Sequence, residues 1–503
     1  MRDSSTILIW TLAVISSVLG AAILYAAMPG INWPIWVGLA SISVLLSRRL
    51  SGKKIEAPLV VLLAWATLLS IGVAVSANEA IQVFSILSDA MLLGLAVIVI
   101  GAERWSALSV SLIPTIPFLA PFRVWRSSIQ EAADTPRSVS SPRARSIIKG
   151  TLLSAPLVII LIALLGSADP VIRWTTDWLA AWLPDWTFPP RLLFFAFLLS
   201  ITLGANSLAA RQLTANLPAI PRITRPWTVG ITEQRMVLWS AAVVLWIFVL
   251  LQISYLIHPP PAVLNSGVTF ADYARRGFGE MSFAVTIVGA IILILEYTRP
   301  IDASEADRRT LKRLEFALVI ALELVLLSAF RRVILYEQAY GFTTARLIAQ
   351  AYMVGMGAVL IALALEIWRG TISIAFARRV AEIALGVLTI LVFWNYDDWI
   401  VNRNVDRAVQ NGKFDANYAT TLSPNAIPAL VARRADIPAP ERAMIDNWLA
   451  CRREPSPRRW FELNLGVQKV TLALETMRPA GWTRPETCKP GQVTVRPDTS
   501  AVR

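Results

Sequence analysis

The chain has 503 residues, 55% hydrophobic and only 16% charged, with 19 tryptophans, a mean hydropathy of +0.57 and a formal net charge of +13. Soluble domains carry about 25% charged residues, so a soluble globular class is excluded. The apolar excess lies in blocks of roughly 20 residues, the length that crosses a hydrocarbon core of about 30 Å. In a soluble protein the positive balance would suggest nucleic acid. Here it reads as topology, basic residues being retained on the cytoplasmic side, and nucleic acid is not a partner.

Eleven blocks read as spans, near 7–28, 32–47, 57–75, 79–101, 147–167, 191–210, 235–257, 279–297, 314–336, 345–368 and 374–396. Only helices and closed barrels satisfy their backbone in lipid. Continuous apolar blocks, without strand-like alternation, select helices. The first block is too long for a signal peptide and its Arg2 and Asp3 cancel, so it reads as a retained span. With the N-terminus inside, the inner connections hold 24 Lys and Arg and the outer ones 7. That bias places the N-terminus in the cytoplasm and, after eleven crossings, the tail outside. The short second span, with Pro34, decides the parity.

The fold expectation is therefore an all-α integral membrane protein, a bundle over 1–400 with a small helical extracytoplasmic tail over 401–503. Between the fourth and fifth spans, WSALSVSLIPTIPFLAPFRVWR is broken by Pro114, Pro117 and Pro121 and reads as an interfacial or re-entering segment. It runs into a basic cytoplasmic linker over about 120–149, with Arg137, Arg143 and Arg145. The next outer loop repeats tryptophan every four residues, at Trp174, Trp178, Trp182 and Trp186. That spacing predicts an interfacial helix over about 170–186, with rings at headgroup level. Further on, DYARRGFGEM (272–281) reads as a charged turn at the outer membrane surface.

The tail is polar, basic and rich in proline. PERAMIDNWLACRR and PRRWFELNLGVQKVTLALETM carry apolar residues at helical spacing, with fraying expected from about residue 483. Cys451 and Cys488 are the only cysteines and fall on the side read as oxidising, so a disulfide is expected. No N-x-S/T sequon and no organelle-targeting segment occurs, which makes a bacterial inner membrane the simplest location. The lipid bilayer is the expected partner, and an envelope protein or lipid a candidate one.

Two sets of residues could carry chemistry. Asp89 and Glu323 lie mid-span, where an ionisable group is costly and faces a partner or a cavity. They read either as a proton or ion relay or as an interhelical hydrogen bond. At the outer helix ends, Asp272, Tyr273, Arg275, Arg276 and Glu280 share a level with Tyr336, Glu337, Tyr340, Gly341 and Arg346, joined by Asn395, Asp397 and Asp398. Arginine there could clamp a carboxylate or phosphate, or the whole set could stitch helix ends together and anchor the tail. No catalytic residue is assigned. The single histidine, His258, cannot build a histidine metal site, and neither a phosphate-cradling loop nor a nucleophile elbow occurs. No cofactor or metal is expected.

YARRGFGEM (273–281), YEQAYGFTTAR (336–346) and NRNVDRAVQNGKFDANYATTLSPNAIPAL (402–430), with LLGSADPV (164–171) and GANSLAARQ (204–212), resemble a family of bacterial multi-pass membrane proteins. It is catalogued as domain of unknown function 4173, related to group 4153. The resemblance spans roughly 145–480. Where the family usually has an acid in the tail block, this chain has Asn425. The resemblance implies the architecture and carries over no catalytic residue. Three functional classes follow: a non-enzymatic envelope sensor or assembly partner, a transporter using Asp89 and Glu323, and an enzyme on lipid-linked or envelope substrates at the outer patch.

Overall fold

The structure, a computed structural model, describes residues 2–100, 116–134, 188–211, 228–257, 270–300, 303–369, 374–452, 459–478 and Cys488. Every regular element among them is helical. The chain divides into two compact units, Met1–Ala215 with Ser456–Leu465, and Asn216–Pro455 with Gly466–Arg503.

The first unit contains α1 (Arg2–Leu24), α2 (Asn32–Leu50), α3 (Ala57–Val75), α4 (Glu79–Val99), α5 (Ile116–Asp134) and α6 (Phe188–Arg211). Lipid tails are as apolar as leucine, so helices here are joined by close packing and polar contacts, not by hydrophobic burial. Gly204 on α6 lets α5 approach until a Cβ would overlap the Val124 carbonyl. Ser17 and Thr202 hydroxyls meet at 2.8 Å, Ser43 donates to Asn206 at 3.1 Å, and Ser207 donates to Glu131 at 2.8 Å. Arg211 pairs with Glu131 at 2.5 Å, and buried Arg48 pairs with Glu56. Asn32 builds the α1–α2 corner, its Nδ2 donating to the Ile23 and Met28 carbonyls at 3.0 and 3.1 Å. Asn78 caps α4 by accepting from the Ala80 and Ile81 amides. A returning piece of the tail seats on these two corners. Asn464 donates to the Val73 and Ser76 carbonyls at 2.8 and 3.0 Å, and the Leu463 carbonyl accepts from the Ile31 amide at 2.9 Å.

The second unit contains α7 (Ile231–Ile257), α8 (Phe270–Tyr297), α9 (Glu305–Tyr340), α10 (Thr344–Arg369) and α11 (Ile374–Phe393), then the tail helices α12 (Tyr396–Asn411), α13 (Ala416–Thr421), α14 (Ile427–Ala432), α15 (Ala439–Cys451) and α16 (Leu465–Met477). Central α9 packs against α7, α8 and α10 through Leu311, Leu318, Leu322, Val325 and Ala329. At 1.5 Å per residue its 36 residues measure about 54 Å, well beyond a hydrocarbon core. At the end opposite the tail, Arg299 bridges Glu296 and buried Glu315, and Arg379 pairs with Glu366. Cys451 and Cys488 form a disulfide.

Seven described helices, α1, α3, α4, α6, α7, α8 and α10, are long and apolar enough to cross a membrane. The expected eleven are not all of this kind. Polar residues dilute α2 (Asn32, Ser41, Ser43, Ser47, Arg48, Arg49), α9 (Glu315, Glu323, Arg331, Arg332) and α11 (Arg378, Arg379, Glu382). The 147–167 block and the tryptophan-rich 170–186 helix lie outside the described residues. Two local expectations change. The segment assigned to a basic linker from about residue 120 is helical through Asp134, its Ala120, Val124, Ser127, Ser128 and Glu131 buried. The expected turn at 272–281 belongs to α8, whose helix starts at Phe270. Nothing between Ala271 and Arg276 breaks a helix, and single glycines at 277 and 279 cost only about 1 kcal/mol each.

Candidate functional site

Among the described residues, a dense polar assembly forms at the α9–α10 corner with the tail docked on it. Gly341 closes α9 at φ +87°, where a side chain would be strained, so the chain reverses in three residues. The reversal leaves backbone groups of Phe342 without helical partners, and Asn404 on α12 takes both. Its Oδ1 accepts from the Phe342 amide at 2.7 Å and its Nδ2 donates to the Phe342 carbonyl at 2.9 Å. Arg407, one turn along α12, donates to the Gln338 and Ala339 carbonyls at the C-terminus of α9. A cation is favoured there by the helix dipole. The Tyr418 hydroxyl accepts from the first amide of α10, Thr344, at 2.7 Å. Trp399 packs edge-on against Phe342 and Trp394, linking the α11–α12 junction to the corner.

Arg346 is committed inside this corner. Its guanidinium lies 3.9 Å from the Tyr336 ring centroid and donates to the Gly341 carbonyl. Tyr336 and Tyr340 pack with centroids 5.0 Å apart. Glu337 is buried, receives Gln350 Nε2 at 2.8 Å on one oxygen, and has no partner on the other. Burial pushes its carboxyl up to about 7, against the opposing pull of the Gln350 hydrogen bond and the Arg346 charge. Burial also raises the Tyr418 phenol. Asn395 caps α12 and donates to the Asn425 carbonyl at 3.3 Å. Buried Asp397 accepts from Ser423 at 2.5 Å. Asp398, raised by burial and lowered by Lys469, accepts from Asn402.

Of the residues singled out in the sequence, Tyr336, Tyr340 and Arg346 thus meet directly, and Asn395 and Asp398 adjoin them through α12. Asp272, Tyr273, Arg275 and Arg276 lie in the first turns of α8, with side chains outside the described set, and Glu280 is exposed. Asp89 is fully buried on α4, and Trp33 Nε1 donates to its Oδ2 at 2.7 Å. Glu323 faces α10 at Gly357. Sequence reasoning missed Asn404, Arg407, Gln350 and Tyr418. Asn404 and Arg407 are spaced i, i+3 on one helix face, the only local signal they carry.

Chemically, the corner binds its own tail. Its arginine and amide groups reach helix-end carbonyls and amides, and its buried carboxyl titrates near neutrality. The described residues define a helical membrane protein whose C-terminal helices dock on the α9–α10 corner. The model of a family described as Domain of unknown function (DUF4153) matches residues 63–432, and the chain belongs to that family. The matched region starts earlier than the resemblance did, inside α3, and ends at the last residue of α14, so the clasp lies within the family domain while α15, the disulfide and α16 follow it. Of the two related groups named from the sequence, the match is to 4153. No curated protein and no solved structure matches the chain.

Proposed function

We propose that the protein is an eleven-span bacterial inner-membrane protein whose periplasmic tail is a docking platform, used as an envelope sensor or assembly partner and not as an enzyme. The excess of basic residues on one set of connections supports an N-terminus in the cytoplasm. The Cys451–Cys488 disulfide supports a tail in an oxidising compartment. Helix α9 serves as a span despite its charges, because Glu315 is ion-paired to Arg299 and the helix is long enough to carry Arg331 and Arg332 near the far surface.

The observation that carries the reading is the clasp itself. Asn404, Arg407 and Tyr418 hold the tail on the helix ends, and the Arg346 guanidinium is occupied by Tyr336 and Gly341. A docked tail with exposed apolar residues, among them Val409 and Leu472, suits contact with an envelope protein or lipid. Photo-crosslinkers placed at 409 and 472 in living cells test this. Discrete adducts to an envelope component support the platform. An absence of adducts, together with loss of ion uptake in Asp89→Asn and Glu323→Gln variants, favours a transporter instead.

A further inference from the structure

The intramembrane carboxylates differ in surroundings. Asp89 is fully buried and receives the Trp33 indole. Glu315 is paired with Arg299. Glu323 has neither device. Its Oε1 is enclosed without a hydrogen-bond partner, and its Oε2 lies 3.4 Å from where a Cβ on Gly357 would be. Leu322 and Leu326 beside it are buried, while Ile320 and Leu327, one turn to either side, are exposed. The carboxyl therefore sits at the margin of the α9–α10 seam, with its core side among leucines and its other side toward the bilayer.

No charge on the packed helices compensates it. Residues 236–252 of α7, 281–295 of α8, 347–365 of α10 and 383–393 of α11 include no Asp, Glu, Lys, Arg or His. On α9 itself the nearest charges are Glu315 and Arg331, each eight residues or about 12 Å along the helix. The titratable Tyr352 on α10 is bonded to Thr286 at 2.7 Å. Arg332 donates to Gln252 at 2.9 Å. A bare carboxylate in hydrocarbon neutralises instead of remaining charged. A calcium ion would need about six or more oxygen ligands, and one carboxyl facing a glycine offers two. A proton needs only one.

We propose that Glu323, set against Gly357, is a proton-binding site within the bilayer that opens at the flank of the α9–α10 seam. The carboxyl lies against Gly357 of α10, and the exposed flank gives a lipid-soluble reagent access to it without opening the bundle. The site is separate from the tail platform, and either reading can fail without the other.

The test uses the full-length protein in proteoliposomes with the lipid-soluble reagent dicyclohexylcarbodiimide. A protonated carboxyl adds across one C=N bond. Its oxygen bonds to the central carbon and its proton passes to a nitrogen, giving an O-acylisourea that rearranges to a stable N-acylurea. Peptide mass spectrometry locates the adduct. The expected result is an adduct on Glu323 that falls roughly tenfold per pH unit above its titration midpoint. It is absent in Glu323→Gln, and labelling of Asp89 is at least about tenfold weaker, because Asp89 is sealed. Absence of a Glu323 adduct from about pH 5 to about pH 9, labelling that ignores pH, or equal labelling of Asp89 would overturn the proposal. The labelling is read on the wild-type chain, so a misfolded variant cannot decide it.

Discussion

Replacing Asn404 with alanine removes both hydrogen bonds to Phe342, at 2.7 and 2.9 Å, and leaves an amide and a carbonyl unpartnered in a reversal only three residues long. Each hydrogen bond contributes about 0.5–1.5 kcal/mol net, and a buried orphan costs about 1–3 kcal/mol. Asn404 and Phe342 are half-buried, so water replaces part of the loss. The clasp should weaken by about 2 kcal/mol, which is roughly a 30-fold larger open population. Hydrogen exchange read by mass spectrometry on peptides over 338–346 and 402–412 should show that increase, with the spans unchanged. Asn404→Asp keeps the acceptor for the Phe342 amide and loses the donor, so its effect should exceed that of a surface substitution and reproduce the carbonyl part of the loss. Unchanged exchange over 338–346 in a folded Asn404→Ala protein would refute the idea that this side chain holds the tail to the corner.

Glu337 makes the same corner pH-dependent. Its carboxyl is raised from the ordinary range to about 7, so the folded protein binds more protons than the unfolded chain between those values. Stability is therefore highest below the unfolded value and falls as pH rises toward neutrality, by up to about 3 kcal/mol. Melting in detergent at about pH 5 and about pH 8 should show this for the wild type and a flatter profile for Glu337→Gln. Gly30→Ala should free the returning tail segment, because a Cβ there would lie 2.6 Å from the Leu463 carbonyl, whereas Gly38→Ala, with nothing within 4 Å, should be silent. Protease sensitivity near 459–464 separates the two. Reducing the Cys451–Cys488 disulfide opens a loop with a sequence separation of 37, worth about 4 kcal/mol in the chain-entropy account. It should loosen α15 and α16 to proteolysis while leaving the spans intact.

The seven apolar helices were legible because hydrocarbon imposes a length and a composition on each helix separately, and α3 and α4 fill the predicted blocks almost residue for residue. The last tail helices were legible from their 3.6-residue spacing. Helix α5 was less so. Pro121 argues for a break, yet it lies early in the helix, and long-range contacts hold the segment. Arg123 donates to the Ile98 and Ile100 carbonyls at 3.0 and 3.2 Å, and Val124 meets Gly204. The clasp was hidden for the same reason. Asn404 and Phe342 are 62 residues apart, and nothing local marks an asparagine destined to replace a missing helical partner. The predicted span ends grouped Tyr336, Arg346 and Asn395, but only the fold showed that Arg346 is spent on Tyr336 and a backbone carbonyl.

The account depends on a lipid-embedded bundle whose tail lies on the periplasmic side. After mild reduction, a membrane-impermeant maleimide should label Cys451 and Cys488 in cells with a permeabilised outer membrane and fail to label them in sealed inverted inner-membrane vesicles. Labelling confined to the inverted vesicles would contradict it.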